Sequence, residues 1–105
     1  MSMQVYIPTD RGIKIVPATN IIRIEAYSNY SKIYFDNGVP LTVAKVLHWF
    51  EDRLPVEFFC RIHRTHIINR IFILTISCSN TITLMNGEKL QISRRKKHSV
   101  RQKGL

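Results

Sequence analysis

The sequence predicts a mostly β domain built from antiparallel hairpins with one or two peripheral helices, and three observations predict it. Apolar residues recur at every second position, as where Ile22, Ile24 and Ala26 alternate with Arg23, Glu25 and Tyr27; this is the pattern of a half-buried strand. Turn-forming runs punctuate such segments, notably Asp36-Asn37-Gly38 and Asn86-Gly87, whose residues accept the backbone that tight hairpins require. Only one mid-chain segment has helical spacing of its apolar residues: Val43, Val46, Leu47, Phe50 and Leu54, stopped by Pro55.

Taken in order, residues 3–16 read as a first hairpin. Val5 and Ile7, then Ile13 and Ile15, flank the turn Thr9-Asp10-Arg11-Gly12. After Pro17 and Asn20 comes the alternating strand through Ile22 to Tyr27, broken by Ser28-Asn29-Tyr30-Ser31. Ile33 and Phe35 alternate with Lys32 and Tyr34 as the next strand, and Val39, Leu41 and Val43 return after the Asp-Asn-Gly turn. The helix then starts near Thr42 or Val43. Residues 58–64 read as extended, 65–69 as a turn or short helical piece, and 71–77 as a central strand, because that last run is rich in β-formers with little alternation. Residues 81–85 and 89–93 form a final hairpin around Asn86-Gly87, and 94–103 suit a short basic helix or a frayed tail.

A chain of 105 residues is the size of one domain, here 1–105. Its 45% apolar content excludes a disordered composition, and no window approaches the ~20 apolar residues of a membrane helix. No secretory signal is visible, and a cytoplasmic setting is expected. Cys60 and Cys78 are too few for a disulfide framework. Cys60-x2-His63-x2-His66 has zinc-ligand types at a spacing that matches no common finger, so no metal, cofactor or catalytic constellation is expected.

Charge carries the functional signal. The net charge is +9, which favours an acidic partner such as nucleic acid. Residues 94–105 hold six Lys or Arg and no acid, leaving a net of +3 on the rest. The second concentration is 58–70, where Arg61, Arg64, Arg70, His63 and His66 lie among apolar residues without one acid. Cations anchored by a core hold position better than those on a flexible tail, and arginine forks suit phosphates and guanine edges. The candidate contacts are Arg61, His63, Arg64 and Asn69 in this stretch, with Asn69 equally suited to closing a turn. Asn29, Ser31 and Lys32 add donors at a hairpin edge, and Arg94, Arg95 and Lys96 add cations after the last strand. A membrane surface fits poorly, since 94–105 offers only Val100 and Leu105 as bulky apolar residues. Two other readings stand beside duplex binding: an RNA- or single-strand-binding β domain that stacks bases on Tyr27, Tyr30 and Tyr34, and a basic module with no nucleic-acid partner.

Taken together, Ile24-Glu25-Ala26 with Tyr30 after it, Leu47 and Leu54, Phe59-x-Arg61-Ile62-His63-Arg64, Ile68-Asn69, Asn86-Gly87, and Leu90-x-Ile92-Ser93-Arg94 give the chain a further property: in their order and spacing it resembles the LytTR-type DNA-binding domain of bacterial transcriptional regulators. The resemblance implies an elongated fold of small packed antiparallel sheets whose loop side chains enter successive major grooves and bend the duplex. Carried over by position, the reading residues fall on Ser31 and Lys32, on Arg64, and on Arg94 and Arg95. The partners it implies are double-stranded DNA with promoter repeats, a second copy on that DNA, and, in response regulators of the family, an upstream receiver domain phosphorylated by a histidine kinase. This sequence has Ser31 where a larger donor can occur and Arg64 where an Asn can occur, so no recognition sequence is carried over.

Overall fold

The structure, a computed structural model, describes residues 3–96; the basic segment 97–105, including most of the predicted terminal helix or tail, lies outside the described residues. Strands β1 (Gln4–Thr9) and β2 (Gly12–Pro17) form the first hairpin. Gly12 takes a φ of 114° at its turn, a conformation that side-chain-bearing residues rarely adopt. A five-stranded antiparallel sheet follows, in the order β5-β4-β3-β7-β6. Its members are β3 (Ile21–Tyr27), β4 (Tyr30–Phe35), β5 (Leu41–Val43), β6 (Phe59–His63) and β7 (His66–Asn69). Helix α1 (Leu47–Glu51) connects β5 to β6. A three-stranded sheet, β10-β9-β8, closes the domain with β8 (Ile73–Ile76), β9 (Thr81–Leu84) and β10 (Lys89–Gln91).

The five-stranded sheet is covered on both faces, each by its own core. Ile24, Ile33, Val43, Phe59 and Ile67 pack on one side with Val5, Ile7 and Val16 of the first hairpin and Leu47, Phe50 and Leu54 around α1. Ile22, Cys60, Ile62 and Ile68 pack on the other with Ile82, Leu84 and Ile92 of the three-stranded sheet. A register shift between Ile21 and Arg23 lets consecutive isoleucines serve both sides, Ile21 in the first core and Ile22 in the second. Truncating a fully buried isoleucine such as Ile24 or Ile68 is expected to cost about 2–5 kcal/mol.

Four expectations are corrected. The helix is five residues long because Val43 is committed to β5, where it pairs with Ser31; Leu47, Phe50 and Leu54 still face the core as their spacing predicts. Residues 66–69 form a strand, β7, between β3 and β6, too short for any period to show in the sequence. Residues 71–77 do not form a central strand. A 3-10 turn occupies Arg70–Phe72, and β8 is a sheet edge with Leu74 and Thr75 exposed. Finally, the strand expected to be half-buried is buried at four consecutive residues, Ile21 to Ile24, with Arg23 only 6% exposed.

Candidate nucleic-acid interface

Strand register decides which loops meet. Tyr27 pairs with Tyr30 to close the β3–β4 hairpin, His63 pairs with His66 to close β6–β7, and Glu25 opposite His66 ties the two hairpins side by side. The Ala26 amide donates to the Thr65 carbonyl at 2.9 Å, so the two tips are bonded to each other. Two further segments reach this end of the sheet. The Ser93 amide donates to the Ile62 carbonyl at 2.8 Å, which sets the turn 94–96 beside the end of β6. The Ser31 hydroxyl donates to the Lys45 carbonyl at 2.6 Å, which sets the segment after β5 beside the β3–β4 tip. One end of one sheet thus collects Asn29, Arg64, Arg94 and Arg95, all exposed, with Lys45 beside them.

The β6–β7 tip is braced from inside. Arg61 is half-buried and spends its guanidinium on the protein: Nε donates to the His63 carbonyl at 3.2 Å, one terminal nitrogen to the Arg64 carbonyl at 2.7 Å, and the other to Glu51 of α1 at 3.0 Å. His63 Nδ1 accepts from the Thr65 amide at 3.2 Å and lies 2.8 Å from the Thr65 hydroxyl, which in turn lies 2.9 Å from His66 Nδ1. The Arg64 guanidinium has no partner among the described residues, so a turn whose backbone is held on both flanks presents one uncommitted fork.

Behind the tips the sheet carries an ion cluster. Arg23 bonds Glu25 on its own strand and Glu88 in the β9–β10 turn, the latter at 2.9 Å and 3.2 Å, and its guanidinium stacks 3.9 Å from the Tyr34 ring centre. Burial alone would lower the Arg23 pKa, and the hydrogen bonds with Glu88 and Glu25 more than reverse that. Burial likewise pushes Glu25 up, but Arg23 holds it below the ordinary carboxylate value; Glu88 is held down chiefly by its bond to Arg23. His66, 3.4 Å from Glu25, is pushed below the usual histidine value by burial, against the pull of Glu25.

Several sequence candidates do not join the exposed side chains at this end of the sheet. Ser31 and Asn69 are both 0% exposed. Ser31 is spent on the Lys45 carbonyl, while the Asn69 amide donates to the carbonyls of Ala18 and Ile21 and its oxygen accepts from the Ile71 amide. Asn69 therefore closes a turn and locks β7 to the start of β3. Lys32 lies within β4 opposite Glu25, half-buried with Nζ 5.6 Å from the Tyr34 ring centre, and not in the loop. Arg61 is a brace, and His63 gives Nδ1 to Thr65. Arg70 lies at the opposite end of the sheet, its amide bonded to the Phe58 carbonyl. Lys96 is half-buried, its amide bonded to Ser93. The stacking platform loses a ring, since Tyr34 is covered by Arg23, though Tyr27 and Tyr30 stay exposed. Sequence reasoning missed Lys45, a lone lysine that only the Ser31–Val43 pairing brings to this end, and missed the tie from Glu51 to Arg61.

Cys60 is buried and Cys78 is exposed, and among the described residues no cluster of His, Cys, Asp and Glu could hold a metal ion. No helix among them is long and apolar enough to cross a membrane.

The profile of the LytTr DNA-binding domain matches residues 11–104. Among solved structures, the chain is similar to the LytTr DNA-binding domain of a Bacillus cereus protein described as a methyl-accepting/DNA response regulator, with 26% identity and a TM-score of 0.79 over 95% of this chain and 94% of that one. No curated protein sequence matches.

Proposed function

Because the chain belongs to the LytTr DNA-binding domain family, a family of DNA-binding modules, we propose that it regulates transcription by sequence-specific binding of duplex DNA through the end of the five-stranded sheet. The carrying observation is the register that brings the exposed Asn29, Arg64, Arg94 and Arg95 to that one end. Arg64 reads a base edge in the major groove through its fork, and Arg94, Arg95 and Lys45 hold phosphates and set the position on the duplex. As the family resemblance implies, loop side chains from these separate segments enter successive major grooves, with the duplex bent to meet them at that end.

The protein acts by binding and not by catalysis. The Bacillus cereus relative is described as a response regulator, and on that basis the domain serves as a cytoplasmic output module, bound as two copies to promoter repeats and governed by an upstream receiver domain and its histidine kinase. The test is to select a duplex from a random pool with the domain, then to measure binding of the selected duplex, a random duplex and each single strand across a salt series. The selected duplex should win clearly, and four cations on phosphates or bases should give a log–log salt slope of about −3 to −4. Equal or tighter binding of a single strand would refute duplex reading in favour of stacking on Tyr27 and Tyr30.

A further inference from the structure

An exposed arginine on a hairpin tip is ordinarily a poor reader of base edges, because the tip moves and the long side chain moves further. The β6–β7 tip departs from that expectation in one respect: a second arginine is consumed in holding it. The β6–β7 ladder slips between Arg61 and His63, and beyond the slip the Arg61 fork takes the carbonyls of both His63 and Arg64 while its third arm is pinned by Glu51. Three acceptors from two chain segments, one of them a carboxylate on α1, converge on a single planar group. Glu51 sits at the end of a helix whose Leu47 and Phe50 are buried, so the pin leads back to the larger core.

We propose that Arg61 and Glu51 form a positioning clamp that sets the conformation of the DNA-reading turn, so that Arg61 determines sequence specificity without touching DNA. The inference rests on the reading given to Arg64 and goes beyond it by assigning the stretch's most suggestive cation to the inside of the protein. Two features separate a clamp from a phosphate contact. The Arg61 side chain is 19% exposed and each of its three nitrogens already donates to the protein, which leaves two of its five N–H donors and little open surface for a phosphate. Two of the three acceptors also lie on the turn's own backbone, the carbonyls of His63 and Arg64, so the clamp acts on the segment that aims the Arg64 side chain. Lysine could keep the charge but not the fork, since one ammonium on a flexible stem cannot hold a planar set of three acceptors.

The experiment uses the whole chain, a duplex selected from a random pool and a random duplex, and reads the ratio of the two affinities together with the salt slope and the melting temperature. For Arg61→Lys the clamp requires a loss of about tenfold in affinity for the selected duplex, with random-duplex affinity and salt slope held within about twofold because the charge is unchanged. For Glu51→Ala it requires a smaller loss of the ratio, although removal of an acid by itself strengthens binding to any DNA. If Arg61 were a phosphate contact, Arg61→Lys would keep the ratio, Arg61→Gln would lower the salt slope by about one, and Glu51→Ala would raise both affinities alike; that pattern overturns the clamp. A lowered melting temperature with an unchanged ratio also overturns it and assigns Arg61 to the fold alone. Arg64→Ala run in parallel separates the two readings. If it alone destroys the ratio, the clamp is wrong and the reader right; if it leaves the ratio intact while Arg61→Lys and Glu51→Ala reduce it, the clamp stands and the reading passes to another group on the same turn.

Discussion

The two hairpin tips at the proposed reading end occupy equivalent places in one sheet, yet they are built differently. The β3–β4 tip turns through Ser28 and Asn29, with Ser28 in the left-handed region at φ 54°, and the neighbouring Ser31 is buried in the structure of the strand itself. The β6–β7 tip is held by an arginine fork, a His–Thr–His chain and a carboxylate from α1. The first tip is shaped by backbone, the second by side chains. A turn fixed by its backbone can vary in sequence without losing its shape; a turn fixed by side chains places one group accurately but depends on each brace. Specificity is expected to reside in the second tip and general affinity in the first.

Four measurements can break or sharpen that contrast. The largest effect is expected from Asn69→Ala, which removes the buried amide bonded to the Ala18 and Ile21 carbonyls and to the Ile71 amide at the foot of β7 and should lower stability by about 2–4 kcal/mol. Chemical denaturation measures it; an intact melting transition with altered DNA choice would instead make Asn69 part of the reading surface. Next, Arg64→Ala should weaken binding to the selected duplex by about 1–3 kcal/mol while random-duplex binding falls much less. An equal loss on both would reduce Arg64 to a phosphate anchor. In the first tip, Ser31→Ala removes one buried hydrogen bond and should cost about 1 kcal/mol of stability, with sequence preference unchanged in a competition assay. Asn29→Ala should be the mildest change, shifting affinity for all duplexes slightly and alike; selective loss at one operator position would show that both tips read bases.

A pH series tests the bracing from the other side. His66 is depressed below 6.5 in the fold, so the unfolded chain takes up a proton first, and stability is expected to be full above pH 6.5 and to decline as pH falls below it. Glu25 and Glu88 are depressed below 4.5; the stability they contribute is present above that value and is lost as pH falls through their folded pKa values. Thermal melts at descending pH should show both declines, and His66→Gln should remove the first while leaving the second.

Much of the fold was legible because period-two alternation survives wherever one strand face meets a core, as in Ile24 with Ala26 and Ile33 with Phe35. Gly87, at φ 92°, sits where the Asn-Gly pair predicted a tight turn. Legibility failed where two demands fell on one stretch. Val43 satisfies a helical spacing and a strand pairing, and tertiary pairing with Ser31 won. Ile71 to Ser77 is apolar enough to suggest burial, but a cap from Asn69 and an irregular ladder turn it into an edge. For the site, the sequence located the charged stretch but could not sort its members, because whether an arginine faces out, like Arg64, or in, like Arg61, depends on a carboxylate ten positions away whose proximity only folding creates. Arg23 was misjudged for the same reason, since Glu88 lies 65 residues on.

Trp49 is the chain's single tryptophan. It lies on α1 with its ring edge-on to Phe50 and under the Arg53 guanidinium at 4.2 Å, facing the groove where Gln4, Tyr6 and Ile13 of the first hairpin meet the helix. The protein therefore carries one tryptophan fluorophore, two residues from the Glu51 pin, and the Lys45 ammonium lies 5.4 Å from its ring centre. Its emission reports both the seating of α1 and the placement of Lys45, so a spectral shift on adding DNA that persists in Lys45→Ala would mean that the helix has felt the event at the turn, whereas a constant spectrum alongside tight binding would mean that neither the helix nor Lys45 moves as the duplex docks.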